Sequence, residues 1–202
     1  MKTTTMDLMR HGEPLGGRKY RGQTDDPLSE KGWQQMWQTA GELHGWQHIV
    51  ASPLARCAAF AELLGEQRRI PVRLDARLRE VGFGGWEGRT AQQLEQAEPG
   101  IVLRFKRDPV GQRPAGAEPL ADFFGRVSQA WHDLLREYSG EHLLVVCHAG
   151  VIRMVLANVL GMLPENAYRI EVASASVTRI VVRGEGDEAF ASVTLPGAKG
   201  GE

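Results

Sequence analysis

The stretch Met6-Asp7-Leu8-Met9-Arg10-His11-Gly12-Glu13 runs from a short, mostly apolar segment into a polar turn. Its first half is typical of a β-strand, and its second half places an arginine beside a histidine where that strand ends. In open α/β sheets the carboxyl ends of the strands are the usual place for a binding site. We therefore expect this stretch to form both a strand of the sheet and part of the site.

A second histidine has the same setting far along the chain, in the segment Val145-Val146-Cys147-His148-Ala149-Gly150. Between the two lies Ser52-Pro53-Leu54-Ala55-Arg56, which follows another apolar run. Two histidines and two arginines near predicted strand ends indicate a phosphate pocket. Arginine's planar fork matches phosphate oxygens, and two arginines neutralise most of a dianion.

Apolar runs and helical periodicity alternate along the chain. The predicted strands are Thr4 to Met9, His48 to Ala51, Val72 to Leu74, Leu143 to Cys147 and Ser176 to Val182. Predicted helices follow Ser29 and Ser52, each read as an N-cap, with Pro53 at the first helical position. Further helices are predicted from Phe123 to Tyr138 and from His148 to Leu160. This alternation predicts an α/β fold, a three-layer αβα sandwich around a mostly parallel central sheet.

The length and apolar content of the chain fit one domain over residues 1–202. The charged, proline-rich region 91–119 breaks the alternation and predicts a small helical insertion over one sheet edge. Such insertions often shape substrate pockets. We expect the last residues, 196–202, to form a flexible tail.

The composition argues against several classes of partner. With 24 basic and 25 acidic side chains, the chain lacks the charge excess that nucleic acid or an anionic membrane would need. We predict a cytoplasmic protein, because neither a signal peptide nor an apolar run of membrane-spanning length is visible. Cys57 and Cys147 are too few for a disulfide framework. A small phosphorylated metabolite is the expected partner, and a homodimer is compatible with the sequence.

Each chemical group of the predicted pocket has an expected task. The arginines should lower the pKa of His11 and so keep a nitrogen lone pair free to attack phosphorus. His148 should bind the equatorial oxygens as charge develops on them. In the glycine-rich segment 78–88, Glu80 is the predicted proton donor for the leaving alkoxide. Glu87 is the competing candidate, but a glutamate in so tight a loop is expected to anchor backbone N–H groups instead.

Other chemistries are less well supported by the sequence. Cys147 and Arg153 have the Cys-x5-Arg spacing of cysteine-dependent phosphatases, yet Ile152 stands where such loops want a small residue. Cys147 is therefore interpreted as a small buried hydrophobe. The histidines without such neighbours are interpreted as surface or boundary residues: His44, His48, His132 and His142. Their spacing does not fit a zinc site, and we expect neither a metal nor a cofactor.

The chain resembles the histidine phosphatase superfamily, in its phosphoglycerate mutase-like branch. The matching segments occur in the order of that family and are Arg10 to Glu13, Arg21 to Gly32, Ser52 to Arg56, Leu78 to Gly88 and His148 to Gly150. The resemblance implies a phosphoglycerate mutase-like fold and a metal-independent phosphomonoesterase. It also implies that His11 becomes a transient phosphohistidine, that Glu80 donates the proton, and that Arg10, Arg56 and His148 complete the phosphate pocket.

Within this family the short length and the segment Pro114 to Leu120 look most like the α-ribazole phosphatases of cobalamin assembly, which implies α-ribazole 5′-phosphate as the substrate. Many relatives carry threonine after the Arg-His-Gly-Glu string and asparagine three positions later, where this chain has Pro14 and Gly17. Arg21, Gln23 or Thr24 is predicted to replace that asparagine as a substrate ligand. Two alternatives remain, a phosphoglycerate mutase and a catalytically silent protein that binds phosphorylated ligands.

Overall fold

In a computed structural model, residues 2–194 are described, and they place a six-stranded mixed sheet between two layers of helices. The expected tail, 196–202, lies outside the described residues. The strands are β1 (Thr3–Arg10), β2 (His48–Ala51), β3 (Val72–Leu74), β4 (His142–Cys147), β5 (Val177–Arg183) and β6 (Phe190–Thr194). The helices are α1 (Glu30–Glu42), α2 (Ala55–Arg68), α3 (Ala91–Ala97), α4 (Ile101–Arg107), α5 (Leu120–Glu137) and α6 (Ala149–Val159). Short 3-10 turns occupy 76–78, 84–86, 164–169 and 186–188.

The sheet has the strand order β3-β2-β4-β1-β5-β6. The first four of these strands run parallel to one another, whereas β5 runs antiparallel to both of its neighbours. The mostly parallel α/β sheet predicted from the sequence is thus confirmed. The sequence pattern did not predict β6, an edge strand whose residues stay at least partly exposed and so show no apolar run.

Alternate residues of the central strands face the two helical layers, as the period of a strand requires. On one face, Leu143 and Val145 pack in a core cluster with residues of α5 and α6. On the other face, Leu144 and Val146 pack with residues of α1 and α2. Because both faces are covered, β4 is continuously apolar from Leu143 to Cys147 rather than alternating.

Serine residues precede α1 and α2, but only the first of them is an N-cap. The hydroxyl of Ser29 accepts a hydrogen bond from the amide of Gly32 at 3.0 Å, as predicted. The prediction for α2 is wrong, because that helix begins at Ala55 and its cap residue, Leu54, makes no side-chain cap. A carboxylate from another loop replaces the cap, since Oδ1 of Asp25 accepts from the amide of Ala55 at 2.6 Å.

The region 91–119 forms α3, α4 and an extended return to α5. Its apolar side chains build a small separate core with Trp86, Leu94 and Phe105 at its centre. The ring of Phe105 lies 4.9 Å from the ring of Tyr168, which belongs to the 3-10 turn after α6. The insertion therefore packs on the loop of Trp86 and on the segment that leads from α6 back to the sheet.

The central strand β1 carries a fully buried carboxylate, Asp7. Its oxygens accept hydrogen bonds from Trp46 at 2.8 Å and from Arg179 at 2.7 Å, and His142 contacts it at 2.9 Å. Burial alone would raise the pKa of Asp7, but these hydrogen bonds and the charge of Arg179 lower it to about 2. The carboxylate is therefore a fixed part of the core, three residues before the end of β1.

Candidate active site

The carboxyl ends of three parallel strands bring the predicted site together. β1 and β4 pair with Arg10 opposite Cys147, so His11 and His148 are the first residues beyond neighbouring strands. Their rings approach edge to face, with centroids 5.1 Å apart. The pairing of β1 with β4 therefore brings together two histidines that lie more than one hundred residues apart in the sequence.

His11 is held as a neutral imidazole with one nitrogen free. Its Nδ1 lies 2.7 Å from the carbonyl oxygen of Gly12, and a carbonyl can only accept, so Nδ1 carries the proton. Nε2 then carries the lone pair. Burial, followed by the charge of Arg56, lowers the pKa of His11 to about 3. The ring is therefore neutral near pH 7, with Nε2 free to act as a nucleophile.

Arg56, in the first turn of α2, is one of the largest fully buried side chains of the protein. Its guanidinium donates from Nη1 to the carbonyl of Thr24 at 2.7 Å and from Nη2 to the carbonyl of Gly22 at 3.0 Å. No carboxylate of the described residues forms an ion pair with it. Burying a cation without a counterion is costly, which indicates that an anion completes this arrangement.

Arg10 meets the pocket from the end of β1. Its Nη1 donates to the carbonyl of Val172 at 2.5 Å. Nε of Arg10 and Nε of Arg56 are both buried, and within residues 2–194 neither has a hydrogen-bond acceptor. Buried donors are rarely left unpaired in folded proteins. Nε and Nη2 of Arg73 are unpaired as well, but the donors of Arg10 and Arg56 are the ones that lie on the two predicted phosphate ligands, where they fit a bound oxyanion.

His148, the N-cap residue of α6, is wholly buried. Its Nε2 lies 2.8 Å from the hydroxyl oxygen of Ser52, the first residue beyond β2. The thiol sulfur of Cys57 lies 3.7 Å from the same nitrogen, on the side of α2. Burial, more than the nearby charges, holds the pKa of His148 well below its ordinary value. Ser52 was predicted as a helix cap, and the structure instead makes it the partner that orients this ring.

We expect Ser52→Ala to lower kcat about tenfold with little change in KM, because the neutral hydrogen bond that orients His148 is lost. The measurement is steady-state hydrolysis of p-nitrophenyl phosphate. Ser29→Ala is the matched control, since it removes a hydroxyl that caps α1 but touches no site residue. Equal kcat for Ser52→Ala and the wild type would contradict this role.

Glu80 lies in the loop after β3, and two backbone amides fix its carboxylate. Oε1 accepts from its neighbour Val81 at 2.9 Å, and Oε2 accepts from Gly150 at 3.0 Å. A side chain at position 150 would collide with the Glu80 carboxylate, which explains the glycine two residues after His148. The predicted acid is thereby attached to the first turn of α6, the helix that the second histidine caps.

Glu87, the competing candidate, is an anchor, as predicted. Its carboxylate accepts from the backbone amides of Gln23 at 2.8 Å, Thr24 at 2.8 Å and Phe83 at 3.1 Å. The hydroxyl of Thr24 donates to it as well, at 2.5 Å. Burial alone would raise the pKa of Glu87, but these hydrogen bonds lower it, so the carboxylate remains an acceptor. Glu87 thus fastens the loop whose carbonyls hold Arg56.

The side-chain donors of the three predicted replacements for the family asparagine are already hydrogen-bonded within the protein. Arg21 donates from Nε to Asp26 at 2.7 Å, and its two Nη atoms donate to the carbonyls of Gly17 and Leu15, both at 2.6 Å. The side-chain amide of Gln23, which is exposed, donates to the carbonyl of Glu80 at 2.7 Å. Direct contact of Arg21, Gln23 or Thr24 with substrate stays a prediction, whereas their part in shaping the loop is plain.

The cysteine-based alternative finds no support in the geometry. Cys147 is fully buried in the core cluster between the sheet and the helices α5 and α6. Burial raises the pKa of its thiol well above the ordinary value, so a thiolate is disfavoured. Cys57 faces the opposite side of the sheet, in the second core cluster.

The sequence reasoning missed three of the groups that build this site, namely the hydroxyl of Ser52 and the backbone carbonyls of Gly22 and Thr24. Ser52 and His148 each follow directly on a parallel strand, and that shared position is the signal that could have paired them. The carbonyls of Gly22 and Thr24, which orient Arg56, carry no side-chain signature and could not have been found.

Across residues 2–194, no group of three or more His, Cys, Asp or Glu side chains is placed to hold a metal ion. In the same part of the chain, no helix is both long and apolar enough to cross a membrane.

Acid should destabilise the protein through His11. The unfolded imidazole takes up a proton as pH falls below about 6.5, whereas the folded ring, with its pKa of about 3, does not. The stability linked to His11 is therefore complete above pH 6.5 and is lost progressively below it. We expect a loss of about 2 kcal/mol at pH 5 relative to pH 8. Urea unfolding at both pH values measures it, and His11→Gln should lack this component; identical pH dependence in both proteins would contradict the assignment.

Comparison with known proteins places this geometry in a family. The model of the histidine phosphatase superfamily (branch 1) matches residues 6–193. A glucosyl-3-phosphoglycerate phosphatase of Mycolicibacterium vanbaalenii is 32% identical over 177 residues, which cover 82% of this chain and 78% of that protein. A probable phosphoglycerate mutase of Cronobacter sakazakii is 31% identical over 181 residues, 86% of this chain and 82% of that protein. A bifunctional protein of Mycobacterium tuberculosis is 32% identical, but the chain spans only 49% of its length.

Solved structures give the same result. A mycobacterial glucosyl-3-phosphoglycerate phosphatase in complex with VO3 superimposes with a TM-score of 0.85 at 28% identity, covering 98% of this chain and all of that one. A putative α-ribazole-5′-P phosphatase from Escherichia coli K-12 superimposes with a TM-score of 0.80 at 27% identity, covering 95% of each chain.

Proposed function

Since the chain belongs to the histidine phosphatase superfamily (branch 1), we propose that it hydrolyses phosphate monoesters through a phosphohistidine on His11. One observation carries the proposal. Half-buried Arg10 and fully buried Arg56 each have a buried Nε without an acceptor in residues 2–194, and both charges lie near the imidazole of His11, whose Nδ1 is already bonded. That set of groups fits a tetrahedral oxyanion next to a free nucleophile.

In the first step the lone pair on Nε2 of His11 attacks phosphorus, the N–P bond forms and the bond to the ester oxygen breaks. Protonated Glu80 gives its proton to the departing alkoxide, so the alcohol leaves neutral. Arg10, Arg56 and His148 bind the three equatorial oxygens as charge accumulates on them. Since the arginines are held by backbone carbonyls before substrate arrives, little reorganisation is needed.

In the second step the Glu80 carboxylate takes a proton from water, and the water oxygen attacks the phosphohistidine. The N–P bond breaks, inorganic phosphate leaves, and Glu80 is again protonated for the next turnover. One carboxyl group therefore serves as acid and then as base. Its attachment to the Gly150 amide keeps it at the same place in both steps.

Glu80→Gln provides the test of this assignment. We expect hydrolysis of an alkyl ester such as glycerol 3-phosphate to slow about 100-fold, because its alkoxide needs a proton. Hydrolysis of p-nitrophenyl phosphate should slow far less, since nitrophenolate is a good leaving group. Glu87→Gln is the matched control, because it loosens the loop without touching the acid and should affect both esters alike. Equal losses on both esters for Glu80→Gln would remove Glu80 from the role of acid.

A screen of phosphate esters can identify the substrate. The sequence resemblance points to α-ribazole 5′-phosphate, and the similarity to the Escherichia coli structure supports it. Glucosyl-3-phosphoglycerate is a second candidate, which the similarity to the mycobacterial phosphatases supports. Phosphate release from both, from 3-phosphoglycerate and from sugar phosphates would rank them. Conversion of 3-phosphoglycerate without phosphate release would indicate a mutase, and phosphate binding without turnover of any ester would indicate a silent binding protein.

A further inference from the structure

Arg153 lies on α6 beside the phosphate pocket and takes no part in the two steps above. It follows Gly150 by three residues, so both project from the same face of the helix. Long side chains on a helix lean toward its N-terminus, which in α6 is the end that carries His148. The charge of Arg153 lies close enough to Arg10 to lower the pKa of that residue, which places its guanidinium near the site.

One backbone segment holds Arg153 next to Arg10. Nε of Arg153 donates to the carbonyl of Ile170 at 2.8 Å, and Nη1 of Arg10 donates to the carbonyl of Val172 at 2.5 Å. The two carbonyls are two residues apart, and Ile170 has an extended backbone. At the rise of an extended chain this separation is about 7 Å. The shared segment and the mutual influence of their charges place the two guanidiniums near each other.

This pair has an excess of positive charge. Within residues 2–194 neither Arg10 nor Arg153 forms an ion pair with a carboxylate. Burial is the main cause that lowers the pKa of Arg10; the charge of Glu80 opposes it, and the nearby charge of Arg153 lowers the pKa further. The transferred phosphate meets Arg10 and Arg56, which leaves the Nη atoms of Arg153 for a different anion.

The leaving alcohol would lie on this side of the pocket. Its oxygen must meet Glu80, which is bonded to the amide of Gly150 on the helix face that also carries Arg153. The ring of Tyr168 lies 5.6 Å from Cζ of Arg153 and 4.9 Å from the ring of Phe105 in the insertion. An alcohol that extends from Glu80 along α6 therefore reaches Arg153 beneath the insertion.

We infer that Arg153 determines specificity by binding a second anionic group, a carboxylate or a phosphate, on the alcohol part of the substrate. The inference rests on the proposed phosphatase function and extends it to the leaving group. It favours esters such as phosphoglycerates over α-ribazole 5′-phosphate, whose alcohol part carries no anion. Arginine suits either group, because its fork pairs with carboxylate and phosphate oxygens alike.

The test compares esters that differ in the second anion, in the wild type and in Arg153→Gln. The carboxylate arm pairs 3-phosphoglycerate with glycerol 3-phosphate, and the phosphate arm pairs fructose 1,6-bisphosphate with fructose 6-phosphate. In at least one arm we expect the wild type to prefer the anionic member, and Arg153→Gln to lower its kcat/KM by about 10- to 100-fold. The neutral member should change less than about threefold, which a general loss of folding or of the phosphate pocket would not allow. Arg169→Gln is the matched control, because Arg169 is exposed and directly precedes Ile170, whose carbonyl holds Arg153.

Hydrolysis of p-nitrophenyl phosphate distinguishes a failure of the proposed phosphatase function from a failure of the role proposed for Arg153. If no ester is hydrolysed by the wild type, the proposed function fails. If esters are hydrolysed but Arg153→Gln lowers both members of each pair equally, or neither, the role of Arg153 is overturned while the phosphatase stands. A wild-type preference for α-ribazole 5′-phosphate that survives Arg153→Gln would overturn it as well.

Discussion

His11→Ala is expected to lower kcat/KM for every phosphate monoester by at least about 10⁴-fold, because the covalent pathway loses its nucleophile. The neighbouring groups cannot replace it. His148 is bonded to Ser52 through its Nε2, and both cysteines are fully buried thiols whose raised pKa values disfavour thiolate. The measurement is phosphate release at neutral pH from p-nitrophenyl phosphate.

The control for this variant is His132→Ala, which removes an exposed imidazole from α5 and should leave turnover unchanged. Near neutral pH the loss in His11→Ala should not come from unfolding, and circular dichroism can verify that the variant is folded. Turnover within tenfold of the wild type would mean that another group attacks phosphorus.

Arg56→Met should lower kcat/KM by about 10³-fold, the second largest effect, since a preorganised donor and a full charge at the phosphate are lost together. Inorganic phosphate should also inhibit the variant much more weakly, because the ground-state anion loses the same partner. Arg56→Lys keeps the charge but not the fork, and its activity should fall between those of Arg56→Met and the wild type.

Arg56→Met also frees two buried carbonyls, so its loss of stability must be separated from its loss of activity. Arg68→Met is the matched control, because Arg68 lies in the same helix and donates to the carbonyls of Ala40 and Leu43. The Arg68→Met variant should be less stable than the wild type, but its folded protein should keep the wild-type kcat/KM. If the two variants lose activity in the same proportion to their stability, Arg56 acts through folding and not on phosphate.

Much of the site was predictable because it depends on strand ends. His11 and His148 each follow an apolar run, and parallel strands place such residues at one edge of the sheet. Glu87 was also predictable, since a carboxylate in a glycine-rich turn finds backbone N–H groups nearby. In these cases local sequence and tertiary structure agree.

The rest depends on contacts that leave no local pattern. A serine before a proline reads equally well as a helix cap, and only the packing of β2 beside β4 turns Ser52 toward His148. The charge of Asp7 within an apolar strand gave no sign of its partners, which come from three distant elements. For Arg56 the ligands are carbonyls, which every residue carries. Tertiary structure alone decides such cases.

Rapid mixing of the protein with a radioactively labelled phosphate monoester, followed by a quench within the first turnover, tests the central claim most directly. We predict a label on the protein that is stable to alkali and labile to acid, the stability of a phosphohistidine, and that maps to the peptide containing His11. His11→Ala should acquire none under the same conditions. A label on Cys147, or turnover with no labelled protein at any quench time, would contradict the mechanism.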